Sequence, residues 1–123
     1  MKEQETLIRE RIENYYFKGI YEGNIGLLED IFQEETLLFG DINGAPYKKT
    51  VKEYLVGVQG RVSPKDSGKP FKAEIMSIAV INTIATAKLH VQMYDANYYN
   101  FMNLHLINGH WVIISKTLTD VPL

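Results

Sequence analysis

Two Asn-Gly pairs, Asn43-Gly44 and Asn108-Gly109, each flanked by β-branched and aromatic runs, constrain this chain more than any other feature. Both central residues of a type I′ turn need positive φ, which Asn and Gly tolerate best, so each pair marks a β-hairpin. The first joins a strand over 36–42 to a short edge strand over 46–49. The second joins a strand over 98–107 to a last strand from 110 to about 118. Two further strand patterns, 71–81 and 84–94, are separated by Asn82-Thr83, and Asp95-Ala96-Asn97 turns the chain into 98–107. Apolar residues at Leu7, Ile8, Ile12, Tyr15, Tyr16 and Ile20 have the spacing of an amphipathic helix over 5–22. Gly23 caps its end, and Asn24 opens a short second helix holding Ile25, Leu27, Leu28, Ile31 and Phe32. Thr50, with Glu53 at the capping-box position, starts a third helix over 51–58. The stretch 60–70 (GRVSPKDSGKP) reads as one surface loop. Helix, helix, hairpin, short helix and a long meander exclude a parallel βαβ sheet and specify an α+β fold.

At 123 residues the chain has the size of one domain, 1–123, with 46% hydrophobic residues to build a core. A formal charge of −2 offers no broad attraction to nucleic acid or to an anionic membrane. Cysteine is absent, which removes disulfides, thiolate nucleophiles and cysteine metal sites. No secretory signal is read in residues 1–6, and no apolar run reaches the ~20 residues of a membrane span. A cytoplasmic address is expected.

The last hairpin also divides the sheet into faces. A three-residue Asn108-Gly109-His110 loop with a glycine bulge sets Ile107 opposite Trp111. One face then carries Phe101, Asn103, His105, Ile107, Trp111, Ile113, Ser115 and Thr117. The other carries Met102, Leu104, Leu106, Val112, Ile114 and Lys116. A two-residue turn would shift this register by one. With both faces largely apolar and only one covered by helices, the uncovered face is expected to form a homodimer through the outer side of the sheet.

The element order, together with GIYEGN (19–24), DIFQEETLLFGDING (30–44), SPKDSGKP (63–70), AEIMSIAV (73–80) and NGHWVIISK (108–116), resembles the nuclear transport factor 2-like superfamily over nearly the whole chain. Within it the chain is similar to the bacterial group labelled lumazine-binding. The resemblance implies a cone-shaped, cystatin-like α+β barrel in which N-terminal helices pack on a curved antiparallel sheet. That superfamily includes ketosteroid isomerase, polyketide cyclases and dehydratases. Aligned on the isomerase pattern through Glu22-Gly23-Asn24, Tyr16 falls at the oxyanion-hole tyrosine. Aligned through Asn108-Gly109, Asn103 falls at the protonated aspartic acid, and an amide can donate to an oxyanion as that acid does. The carboxylate base falls on Gly40. The neighbouring Asp41 points the other way, because one step along a strand reverses side-chain direction.

Eight tyrosines supply apolar area with a hydroxyl attached. Helix-face tyrosines also serve as plain core packing. His105 shares the expected inner face with Asn103 and is a candidate base or ligand-orienting group. The histidines lack metal-ligand spacing, and no metal or cofactor is expected. Arg61, Lys65 and Lys69 are read either as a solubilising loop or as a lure for an anion at the cavity mouth. The leading reading is therefore a domain that binds an apolar or aromatic small molecule, its cavity lined by Tyr16, Tyr47, Phe101, Asn103, His105, Trp111 and Ser115. The alternatives are an isomerase, cyclase or dehydratase using Tyr16, Asn103 and His105, and a dimerisation or partner-binding module with a filled interior.

Overall fold

A computed structural model describes residues 2–123. Residues 2–22 form one continuous helix, α1, which is α-helical over Lys2–Arg11, π-helical over Ile12–Phe17 and α-helical again over Lys18–Glu22. Its buried row, Ile8, Ile12, Tyr16 and Ile20, repeats every four residues. On a helix of 3.6 residues per turn such a row drifts by about 40° per step. The wider π turn rotates it back, so Tyr16 stays on the buried face. Gly23 ends the helix in the left-handed region (φ 67°), and the Asn24 side chain accepts from Leu27 N at 3.2 Å to start α2, Ile25–Ile31.

The chain then runs through β1 (Phe32–Ile42), β2 (Ala45–Thr50), α3 (Val51–Gly60), α4 (Pro64–Ser67), β3 (Lys72–Ile81), β4 (Ile84–Met93), β5 (Ala96–Ile107) and β6 (His110–Asp120). Thr50 and Glu53 form the expected capping box on α3, with Glu53 N to Thr50 Oγ1 at 3.1 Å and Thr50 N to Glu53 Oε1 at 2.9 Å. The stretch expected to be a plain loop contains α4, because Ser63 caps it, Pro64 starts it and Gly68 stops it. No helix among the described residues is long and apolar enough to cross a membrane.

The strand order is β2-β1-β6-β5-β4-β3, an unclosed α+β sheet with the helices on its concave side. Four of its strand pairs are antiparallel, as expected, but β1 runs parallel to β6, with Leu38 opposite Lys116 and Gly40 opposite Leu118. The excursion through α3 and α4 lets the meander return β6 to the inner side of β1 in the same direction.

Two expectations about turns need correction. The β4–β5 connection is a two-residue turn at Tyr94-Asp95, both with positive φ, and not a turn over 95–97. The last hairpin is likewise a two-residue Asn108-Gly109 turn, so Ile107 faces His110 and Leu106 faces Trp111. The inner face of β5 is therefore Tyr98, Asn100, Met102, Leu104 and Leu106, and Phe101, Asn103 and Ile107 lie outside. Met102 and Leu104, expected on a dimerising outer face, are fully buried in the core. Phe39, Ile84, Phe101 and Ile107 are among the exposed apolar residues there instead, together with the expected Ile114.

Along β6 the register shifts again between Asn103 and Leu104, because Leu104 pairs with Ile113 while Asn103 pairs with Ser115. Ile114 is the extra residue of a bulge, which reverses the side-chain parity beyond it. Trp111 and Ile113 point inward, and so do Lys116 and Leu118.

The β1–β6 seam permits no side chain at residue 40. A Cβ on Gly40 would lie 1.7 Å from the Leu118 carbonyl oxygen, whereas one on Gly44 in the first hairpin turn meets nothing within 4 Å. Gly40→Ala is expected to cost more than ~3 kcal/mol, because backbone must separate, and Gly44→Ala about 1–2 kcal/mol for its positive φ. Denaturant unfolding of the two variants checks this, and equal losses would contradict the seam geometry.

Candidate functional site

Between α1, α3 and the inner face of the sheet lies a cavity of about 230 Å³. Four tyrosines line it: Tyr16 from the π segment of α1, Tyr47 from β2, Tyr54 from α3 and Tyr98 from β5. Val58, Val91 and Met93 complete the apolar wall, and the polar lining is Lys49, Arg61, Asn100 and Lys116. No aspartate or glutamate is among the described residues that line it.

Lys116 is 5% exposed and enters the cavity because of the bulge at Ile114. Its Nζ donates to the Tyr16 hydroxyl at 2.8 Å and stands 5.1 Å from the Tyr16 ring centre and 4.7 Å from that of Tyr54. The ring faces and the hydroxyl oxygen favour the ammonium form. Loss of water opposes it, and so does the neighbouring Arg61 guanidinium. Together these pull the Lys116 pKa down to about 7. Burial, followed by the neighbouring Tyr54 hydroxyl, raises the Tyr16 pKa well above the ordinary tyrosine value. Burial pushes Tyr54 up to about 12. Tyr47 and Tyr98, nearer the mouth, are raised by burial as well. The phenols therefore stay protonated at neutral pH, while the amine is balanced between its two forms.

Arg61 caps α3, lies against the Tyr94 ring at 5.2 Å and reaches the same cavity. Its Nε and Nη2 are buried with no hydrogen-bond partner among the described residues, and Asn100 Oδ1 is in the same condition. A buried donor left unpaired costs roughly 1–3 kcal/mol, more when charged. Two such donors and one acceptor around a polar cavity form a set that a ligand with anionic oxygen and an N–H or O–H edge would complete.

Of the residues expected to form the site, the structure brings Tyr16 and Tyr47 to this cavity. Trp111 is inward and buried but sits nearer the start of α1, where its Nε1 donates to Gln4 Oε1 at 2.8 Å. Phe101, Asn103, His105 and Ser115 lie on the convex side. Asn103 accepts from Thr86 Oγ1 at 2.8 Å and donates to Ser115 Oγ at 3.0 Å, and Phe101 is 55% exposed. Tyr16 and Asn103 therefore cannot donate to one ligand oxygen, because the two-residue turn placed them on opposite faces. Asp41 does point away from the cavity, as expected, and receives the Thr119 hydroxyl outside. His90 is engaged by Glu74 at 2.9 Å and stacked on Tyr99, away from the cavity. No cluster of three or more His, Asp or Glu with metal-binding geometry occurs among the described residues.

Sequence reasoning missed Lys116, which reads as an ordinary polar residue on the outer face, and left Arg61 as part of a loop. The preference of Asn-Gly for a two-residue turn was a signal for the faces of β5 and not for Lys116. The bulge that completes its inward turn leaves no local mark.

Comparison with known proteins agrees with this architecture. The family model described as "Putative lumazine-binding" matches residues 3–119. Among solved structures, an NTF2-like protein of unknown function from Silicibacter pomeroyi superposes with a TM-score of 0.87 at 19% identity, covering 98% of each chain. One from Methylobacillus flagellatus gives 0.85 at 16% identity, over 97% of this chain and 93% of the other. Another, from Shewanella baltica, gives 0.81 at 18%, over 99% and 96%. At these identities they establish the nuclear transport factor 2-like fold. No curated protein matches the chain.

The buried amine sets a pH dependence. Lowering the Lys116 pKa from 10.5 to about 7 corresponds to a destabilisation on the order of 5 kcal/mol once the unfolded chain is protonated and the folded one is forced to be. That cost is fully present below pH 7 and vanishes as pH rises toward the unfolded value, so stability should increase from pH 7 to about pH 10. Above that the sign reverses, because the buried phenols of Tyr16 and Tyr54 resist ionisation in the folded state only. In chemical denaturation, Lys116→Met is expected to flatten the slope between pH 7 and 10 and to be the more stable protein at pH 7. A wild-type stability that is level across this window would contradict the assignment.

Proposed function

Since the chain belongs to the putative lumazine-binding family, we propose that its cone receives a small, flat organic molecule and that the molecule's anionic oxygen is held by Arg61 and Lys116. One observation supports this reading: Arg61, whose buried Nε and Nη2 have no hydrogen-bond partner among the described residues, lines a cavity that also holds Lys49 and Lys116 and, among the described residues, no carboxylate. The tyrosine rings supply stacking and apolar area on either side, in keeping with small-molecule sites that are mostly apolar with a few orienting polar groups. At about 230 Å³ the space is below the ≈300–1,000 Å³ of drug-sized sites, which favours a one- or two-ring ligand. Asn100 Oδ1 supplies an acceptor for a ligand N–H or O–H. A pteridinedione such as lumazine has these features, with carbonyl oxygens and N–H groups alternating along its edge. So do flat phenols and enols whose oxygen carries delocalised charge.

Ketosteroid-type isomerisation is not part of this reading. The position of its base is Gly40, where any Cβ collides with the Leu118 carbonyl oxygen, and Asp41 faces outward.

Calorimetric titration at pH 7 with lumazine, 4-nitrophenol and 4-nitroanisole tests the proposal. The two ionisable molecules should bind and the methyl ether should bind at least ten-fold more weakly. Arg61→Gln should weaken the ionisable ligands by about 1.5–3 kcal/mol, the worth of a hydrogen bond to a charged group, and leave the ether unchanged. Equal affinity for phenol and ether, with indifference to Arg61→Gln, would defeat it.

A further inference from the structure

Arg61 and Tyr16 flank the Lys116 amine in a way that suits covalent as well as electrostatic recognition. An ordinary lysine at pH 7 is a solvated ammonium with no lone pair to offer. Lys116 is enclosed by two phenol rings, has no carboxylate to hold its proton, and shares its cavity with a guanidinium. A lysine desolvated in an apolar pocket, or set beside another cation, is the arrangement that frees an amine to act as a nucleophile. Its Nζ also lies 2.8 Å from the Tyr16 hydroxyl, close enough for proton transfer.

Building on the binding role proposed above, we infer that Lys116 captures the carbonyl carbon of a small carboxylated aldehyde or 2-oxo acid as an imine, with the carboxylate seated on the unpaired N–H groups of Arg61. The neutral amine attacks the carbonyl carbon; a C–N bond forms and the carbonyl π pair moves onto oxygen. That oxygen takes a proton from the Tyr16 hydroxyl, which recovers one from the nitrogen that has become positively charged. The carbinolamine hydroxyl then takes a further proton from the Tyr16 hydroxyl and leaves as water while the nitrogen lone pair closes the C=N bond, and the N–H proton of the resulting iminium returns to the Tyr16 oxygen. One amine and one carbonyl give one imine and one water, with no change of oxidation state. The Lys116 pKa of about 7 agrees with this, because a substantial fraction of the amine is neutral at physiological pH. The groups facing the amine are Arg61, which opposes its protonation, and the phenols of Tyr16 and Tyr54, which remain protonated.

The test uses the full chain, 4-formylbenzoate as probe and sodium cyanoborohydride to reduce any imine to a stable secondary amine, followed by intact-mass measurement and peptide mapping. One adduct per chain is expected, mapped to Lys116 and saturating with probe concentration. Removing the probe's carboxylate, by using benzaldehyde, should slow labelling at Lys116 at least ten-fold, and Arg61→Gln should abolish that difference between the two probes. At a saturating probe concentration, Tyr16→Phe should slow trapping about ten-fold or more. Lys116→Met should remove the single adduct; should that variant not fold, as read by circular dichroism, the wild-type peptide map decides alone. Labelling spread over the exposed lysines, with Lys116 unmodified while 4-formylbenzoate still binds reversibly, would overturn the imine and leave the binding reading intact. Absence of both labelling and reversible binding of this probe and of lumazine would overturn both.

Discussion

Lys116 leaves β6 and ends with its amine 2.8 Å from the Tyr16 hydroxyl, between two phenol rings and near a guanidinium. A cation removed from water normally demands a carboxylate, and a buried pair of that kind roughly breaks even. Here the demand is met only by ring faces and one hydroxyl oxygen, so the amine is only weakly held in its charged form. The surrounding architecture follows from making that arrangement tolerable. The π segment of α1 keeps Tyr16 in line with Ile8, Ile12 and Ile20 so that its hydroxyl reaches the sheet. The bulge at Ile114 turns Lys116 inward, and α3 brings Tyr54 over it. Cores without function do not keep uncompensated cations, because replacing them with methionine or leucine would stabilise the fold. Retention of such a group beside a cavity is characteristic of a site.

The nuclear transport factor 2-like cone hosts many chemistries, so architecture alone does not assign one. The cavity of this chain is characterised by its charge. Isomerase-type cones need a carboxylate to move a proton, and this one has none among the described residues along its cavity and no room for a side chain at residue 40. Its interior is instead an aromatic box with three cationic side chains, Lys49, Arg61 and Lys116. In the proposals above the electrostatic role falls to Arg61 and the nucleophilic role to Lys116, so the two can be separated by substitution.

The backbone of this account was legible in the residues. Gly23, Asn24, Thr50 with Glu53, and the two Asn-Gly pairs each act through local geometry, so each left a local mark that the structure reproduces. The faces of the last hairpin were not legible in the same way. A turn one residue shorter inverted β5, moving Asn103, His105 and Phe101 outside and Met102 and Leu104 into the core. The bulge at Ile114 inverted only the far half of β6, which left Trp111 and Ile113 on the expected side and sent Lys116 to the unexpected one. Arg61 was hidden for another reason: nothing in a helix terminus says which way the next side chain will turn. Tyr16 survived every revision because its place depends on the four-residue row in α1 rather than on sheet register.

The claim on which the rest turns is that Lys116 is a buried amine without a carboxylate partner, and its own titration reports that directly. With lysine labelled by ¹³C at Cε, NMR chemical shifts can be followed from pH 5 to 11, using Lys116→Met to assign the resonance. The account requires the Lys116 resonance to titrate near pH 7. A Lys116 resonance that titrates at about 10.4, the value of a free lysine side chain, would mean that the amine reaches water or an acid, and the reading of the cavity as a cationic, nucleophilic site would fall.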